Sequence, residues 1–151
     1  MEARTPSKDC WLRAVAALNR REHSQRELTR KLREGGFEDA VIAPVLEQLI
    51  ERGWLSDSRY AGALARTRAA SGQGPRRIHV ELARQGITAE NTEAALASCD
   101  GDWAAQARAL VVRRFGEADL RGAPNERKAV DFLLRRGFDM NVARDALREA
   151  E

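Results

Sequence analysis

The stretch "GQGPRRIHVELARQGIT", Gly72 to Thr88, opens as a phosphate-cradling loop would, with glycines, a proline and then Arg76 and Arg77 leading into a helix. It closes as a helix stop, with Leu82 followed four residues later by Gly86 and then by Ile87. The second half of the stretch recurs. "RELTRKLREGGF" at 26–37 and "RKAVDFLLRRGF" at 127–138 share the same leucine (Leu32, Leu133), glycine (Gly36, Gly137) and following large apolar residue (Phe37, Phe138). Each copy has a further leucine ten residues beyond its glycine: Leu46, Leu96 and Leu147. A period of about 50 residues marks a tandem array of one small module.

The physical cause is a Schellman stop. The glycine takes the left-handed conformation at C′, the leucine falls at C3, and the apolar residue at C″ packs back onto it. Asp39, Thr88 and Asp139 follow within two or three positions and are suited to cap the next helix. A further helix precedes each pair, with its aromatic near the N-terminal end. Its apolar stripe runs through Trp11, Val15 and Leu18 in the first copy and Tyr60 and Leu64 in the second. In the third it runs through Trp103, Ala107, Leu110 and Val111. Ser24 and Glu27 fit a capping box for the first middle helix, and Pro75 suits the first turn of the second.

No segment alternates apolar and polar residues as a half-buried strand would. The expected fold is all-α: three tandem three-helix repeats over 10–54, 57–98 and 102–150 after a tail at 1–9, in an elongated, curved array. The opening stretch is then a connector between helices, equivalent to "EHS" and "GEADLRGAPN". It lacks G-x-x-x-x-G-K-[ST] and G-x-G-x-x-G, and no strand leads into it, so a nucleotide-binding loop is rejected.

Charge follows the repeat. The chain is Arg-rich, with 26 basic and 23 acidic residues, 32% charged and net +3. Residues 11–34 hold seven basic and three acidic side chains, and 59–86 hold six arginines against Glu81 alone. Residues 103–137 hold eight basic and four acidic side chains, while each third helix is acidic. One reading is a solvated surface whose charges pair locally. The other has the first two helices of successive units lining a continuous basic stripe, suited to a long polyanion or a long acidic assembly.

The rest of the composition narrows the class. Two cysteines, Cys10 and Cys99, are too few for a disulfide framework, and no apolar run reaches the roughly 20 residues that span a bilayer. The chain is expected to be cytoplasmic, monomeric and without a membrane, metal or cofactor. His23 and His79 have no ligand cluster beside them and are expected at the surface, with His79 available to a partner. Trp11, Trp54 and Trp103 read as core anchors rather than base-stacking platforms, and Tyr60 fits either role. Nothing supplies a nucleophile–base pair, so an enzyme is not expected.

These residues carry a resemblance. "DSRYAGALARTRAASGQGPRRIHVELARQGI" is similar to the central signature of the RecX family, bacterial regulators of the RecA recombinase. "FLLRRGFDMNVARDAL" resembles that family's C-terminal repeat, and the likeness runs from about residue 10 to 150. The chain departs from the pattern at Gln73, where the family often has an aromatic, and its first unit is more divergent. The resemblance implies binding to RecA within the groove of the RecA–DNA filament, inhibition of recombinase and ATPase activities, and a place in DNA repair, recombination and the SOS response. Weak direct binding to single- or double-stranded DNA is compatible with it. The candidate contact residues are Tyr60, Arg66, Arg68, Arg76, Arg77, His79, Arg84, Arg113 and Arg114. The alternative is a winged-helix transcriptional regulator, since 24–57 read alone resembles a helix-turn-helix that ends where a wing would begin.

Overall fold

The computed structural model of the chain describes residues 5–99, 101–116 and 123–148, the side chains of 123 and 124 excepted. The described residues form helices only: α1 (Pro6–Arg20), α2 (Gln25–Glu34), α3 (Asp39–Glu51), α4 (Asp57–Ala70), α5 (Pro75–Arg84), α6 (Ala89–Ala97), α7 (Trp103–Phe115), α8 (Ala123–Arg136) and α9 (Met140–Arg148). They group in threes around three separate cores. A winged helix is thereby excluded, because α4 stands where the wing would start, its first turn capped by the Ser56 side chain.

The repeated stop is built as its chemistry requires. The Phe37, Ile87 and Phe138 N–H groups donate to the carbonyls of Leu32, Leu82 and Leu133 at 3.2, 3.1 and 3.0 Å. Gly36, Gly86 and Gly137 have φ of +92°, +73° and +101°. Leu32, Leu82 and Leu133 are buried at the centres of their units. The same motif also closes α3 and α4. Trp54 N–H reaches the Leu49 carbonyl at 2.9 Å across Gly53, and Gln73 N–H reaches the Arg68 carbonyl at 3.0 Å across Gly72. The connector that opens like a phosphate loop is therefore a second helix stop.

Several local expectations change. The helix caps are set two residues after each glycine, so Glu38 rather than Asp39 occupies the cap of α3. Asp39 lies inside the first turn, where its carboxylate pairs with Arg33 at 2.7 Å. Thr88 and Asp139 do cap, accepting from Asn91 N–H at 3.1 Å and Val142 N–H at 2.8 Å. Ser24 accepts from Glu27 N–H at 3.0 Å, but the Glu27 carboxylate turns to Arg21 instead of completing the box. Helix α1 begins at Pro6, inside the expected tail, because Thr5 caps it and proline suits its first turn. The "GEADLRGAPN" connector lies mostly outside the described residues.

Packing explains a further shift. The innermost residues of each unit's first helix are small: Cys10, Ala14 and Ala17 in α1, Ala61 and Ala65 in α4, Ala107 in α7. Trp11, Val15, Leu18, Leu64, Trp103 and Leu110 flank these positions, half-buried against the same cores. Alanine on both sides lets the first and third helices approach closely, with Ala95 in α6 and Ala143 and Ala146 in α9 facing inward. Those first–third pairs are the most extensive helix contacts in the molecule. The larger apolar residues close the edges of the contact.

Candidate functional site

The units are joined by one device used twice, in which the N-terminus of a middle helix docks on the helix stop of the next unit. Between the first and second units, Ser24 Oγ donates to Gln85 Oε1 at 3.3 Å and Arg26 Nη1 donates to the Arg84 carbonyl at 2.8 Å. Gln25 N–H also donates to Asp57 Oδ1 at 2.8 Å. Between the second and third units the bonds are backbone to backbone. Gly74 N–H donates to the Arg136 carbonyl at 2.7 Å, and Arg76 N–H donates to the Gly137 carbonyl at 2.9 Å. The contact is so close that a Cβ on Gly74 would lie 2.5 Å from the Gly137 carbonyl carbon.

This junction alters the expected role of the α5 start. The positive end of that helix already faces the carbonyls of Arg136 and Gly137, which engage the Gly74 and Arg76 amides. The side chains of Arg76 and Arg77 remain exposed and bring their own charge. Arg76, Val80 and Arg84 fall at i, i+4 and i+8, with His79 and Ala83 beside them, and all five are exposed. One side of α5 is thus a solvent-facing strip of three cationic or titratable groups around Val80.

The other candidates separate into distinct environments. Arg68 is half-buried and held by Glu81 at 2.9 and 3.1 Å, so its charge is largely answered inside the unit. Arg59, counted with the basic middle unit, pairs with Glu22 of the first unit at 3.0 Å. Arg66 is exposed and donates to Ser98 Oγ at 3.1 Å. Arg113 and Arg114 are exposed at the end of α7, with Arg114 over the Phe115 ring at 5.8 Å. Among the described residues no ion pair engages Arg66, Arg76, Arg77, Arg84, Arg113 or Arg114. Part of the basic charge is answered locally instead: Arg21, Arg33, Arg59 and Arg68 have acidic partners.

Tyr60 belongs to the core. It is 6% exposed, in the second unit's cluster, and burial pushes its phenol up. Its remaining edge lines a cleft of about 400 Å³ between the first two units, with Arg21, Glu22, Glu27, Arg68 and Glu81 around it. No open aromatic face is left for a base. His23, expected at the surface, is 1% exposed, beside Ser24 at the junction of the first two units. Its Nδ1 lies 3.0 Å from the Arg21 carbonyl, and burial lowers its pKa. Trp54 departs in the opposite direction. It is 46% exposed and packs at a tilt against half-buried Trp11, ring centroids 5.8 Å apart, with Arg52 over both rings at 4.9 and 5.2 Å.

A second inter-unit cleft, of about 360 Å³, opens between α4 and α7. It brings Arg66 and Arg113 together over a floor that includes Cys99 and Leu110. No cleft described here joins that pair to the α5 strip. Among the described residues no cluster of three His, Cys, Asp or Glu side chains is placed to hold a metal, and no helix is long and apolar enough to cross a membrane.

Three three-helix units with arginines displayed at the junctions define a helical-repeat scaffold. Models of the first, second and third three-helix domains of RecX match residues 10–49, 56–96 and 100–147. The chain belongs to the RecX family. It is 46% identical over 136 residues to regulatory protein RecX of Xanthomonas axonopodis pv. citri (strain 306), covering 90% of this chain and 84% of that one. Regulatory protein RecX of Stenotrophomonas maltophilia (strain R551-3) is also 46% identical, covering 90% and 83%. A crystal structure of RecX from Lactobacillus salivarius shares the fold with a TM-score of 0.83 at 20% identity, over 96% of both chains. A crystal structure titled regulatory protein RecX gives 0.79 at 21%, over 93% of this chain and 71% of that one.

Proposed function

We propose that the chain is a non-catalytic regulator that binds RecA recombinase within the RecA–DNA filament and restrains its ATP hydrolysis and strand exchange. The observation that supports this most is a set of exposed arginines without acidic partners, Arg76, Arg77 and Arg84 on α5 and Arg113 and Arg114 on α7, in a chain 46% identical to regulatory RecX proteins. Tandem units joined by a repeated junction present such groups at intervals, which suits a repeating partner better than a compact ligand. Arg76, Arg77, His79 and Arg84 on α5 make the main contact, with Arg66 next; Arg68 and Tyr60 act from within the fold. The protein works in the cytoplasm as a monomer, and repair and recombination are the processes it tunes.

The test is fluorescence-anisotropy binding to ATP-loaded RecA filaments, to free RecA and to bare single-stranded DNA across a salt series. Preference for the filament over bare DNA by more than tenfold at physiological salt is expected. Equal affinity for filament and bare DNA would refute the reading.

A further inference from the structure

Two of the inter-unit clefts differ in charge in a way that assigns them different roles. Around the cleft between the first and second units, Arg21 and Arg68 are answered by Glu27 and Glu81, at 2.8 and 2.9 Å. Burial pushes the Glu27 carboxyl up, but the bonds from Arg21 outweigh it and hold Glu27 below its ordinary range, fully charged. That cleft is neutralised from within. The α4–α7 cleft has Arg66 and Arg113 on its rim and no carboxylate among the described residues that line it. Arg66 is tied to a neutral hydroxyl, Ser98, and Arg113 makes no ion pair among the described residues.

The lining under these two cations is mostly small and apolar, Ala69, Ala70, Gly72, Ala109, Leu110 and the buried Cys99, with the uncharged polar side chain of Gln106 among them. About 360 Å³ has room for an apolar side chain of leucine or phenylalanine size together with a neighbouring side chain. None of the lining residues is aromatic, so a nucleobase entering here would find no ring to stack on. Exposed phosphates need cations but no apolar floor. A peptide segment needs both, with an apolar side chain to fill the space and a neighbouring carboxylate to face the guanidiniums.

We infer that the α4–α7 cleft is a docking site for an acidic segment of the protein partner, which seats one apolar side chain on Leu110 and Cys99 and places a carboxylate between Arg66 and Arg113. This rests on the proposed binding to RecA and assigns one part of it to protein rather than to DNA. Arg113 and Arg66 then act as protein-recognition residues, and the α5 strip is left for the remaining contacts of the assembly.

The test uses the full chain with Ala109→Trp, which fills the cleft from an exposed position, and separately Arg113→Glu, which reverses one rim charge without touching a core. Circular dichroism and melting verify the fold of each. Binding to DNA-free RecA should weaken at least tenfold in both variants, while binding to bare single-stranded DNA stays within twofold for Ala109→Trp. A photo-crosslinking residue at position 109 should label a RecA peptide containing Asp or Glu. If Ala109→Trp and Arg113→Glu bind RecA as the parent does, or if the label at 109 lands on DNA, the cleft assignment is wrong and the wider reading stands. If the parent itself ignores RecA, the wider reading fails and takes this one with it.

Discussion

Replacing Gly74 with alanine tests how the second and third units are joined. Gly74 has φ −88° and ψ 170°, ordinary extended backbone, so alanine meets no intrinsic strain there. The obstacle is the neighbour. The added Cβ would stand 2.5 Å from the Gly137 carbonyl carbon, 2.6 Å from the Phe138 nitrogen and 2.7 Å from the Gly137 oxygen, all of them backbone atoms. Restoring ordinary van der Waals contact requires the units to part by about 1 Å. The Gly74 bond to Arg136, now 2.7 Å, and the Arg76 bond to Gly137, now 2.9 Å, would both stretch beyond hydrogen-bond range. Two such bonds contribute about 1–3 kcal/mol, offset by the roughly 0.4–1 kcal/mol that alanine gains by restricting the unfolded chain. A net loss of about 1–2 kcal/mol corresponds to a fall in melting temperature of about 2–8 °C for a chain this size.

The assay is calorimetry with amide exchange at Arg76. Gly74→Ala should lower the melt and expose the Arg76 amide while leaving the first unit's amides protected. Gly36→Ala is the control: its φ is +92° with nothing within 4 Å of a new Cβ, so it should cost stability locally and leave Arg76 protected. If Gly74→Ala melts with the parent and Arg76 exchanges no faster, the junction is not as described.

Leu82→Ala should cost about 2–5 kcal/mol by thermal or urea melting, because Leu82 is fully buried and is the C3 partner of Ile87. Glu81→Gln should change stability by no more than about 1 kcal/mol, since the Arg68 pair is one-third exposed, yet strengthen filament binding by releasing that guanidinium. The pKa of His23 is lowered from 6.5, first by burial and then by the charges of Arg21 and Lys31, against the attraction of Glu27. The unfolded chain therefore binds more protons than the folded one below pH 6.5, and His23 should cost stability as pH falls from there through its folded pKa, with no further cost beyond it. Melts between pH 7.5 and 5 should show this slope in the parent and a shallower one in His23→Asn, which keeps a donor for the Arg21 carbonyl.

The three-unit architecture was legible because the glycine stops are local chemistry: only glycine sits without strain at φ near +90°, and the flanking leucine and apolar residue meet within six residues. The same pattern closes α3 at Leu49, Gly53 and Trp54, but it lies off the repeat's period. At Gly72 the partners are Arg68 and Gln73, polar residues that conceal the motif. Tyr60, Ala107 and Val111 of the expected stripes are buried, but in α1 and α4 the innermost positions go to Cys10, Ala14, Ala17, Ala61 and Ala65, because large side chains announce themselves in a sequence and small ones do not. The burial of His23 and Tyr60 and the bond from Gly74 to Arg136 belong to tertiary packing that no local pattern announces. The arginines of the candidate site were all nameable from the sequence. Which of them are answered, as Arg68 is by Glu81, and which are left open, as Arg76 and Arg113 are, depends on tertiary placement.

Small-angle scattering addresses the array itself. A compact chain of this length would have a radius of gyration of about 15 Å, and three units touching only in series should exceed it.

The most direct measurement of the central claim is single-stranded-DNA-dependent ATP hydrolysis by RecA with added parent protein or with the folded Arg76→Glu/Arg77→Glu double variant at matched concentration. Both arginines are exposed, so the variant should fold with stability within about 0.5 kcal/mol of the parent. The account predicts that the parent suppresses hydrolysis and that the double variant needs at least tenfold more protein for the same suppression. A parent that leaves hydrolysis untouched, or a double variant that inhibits equally well, would contradict it.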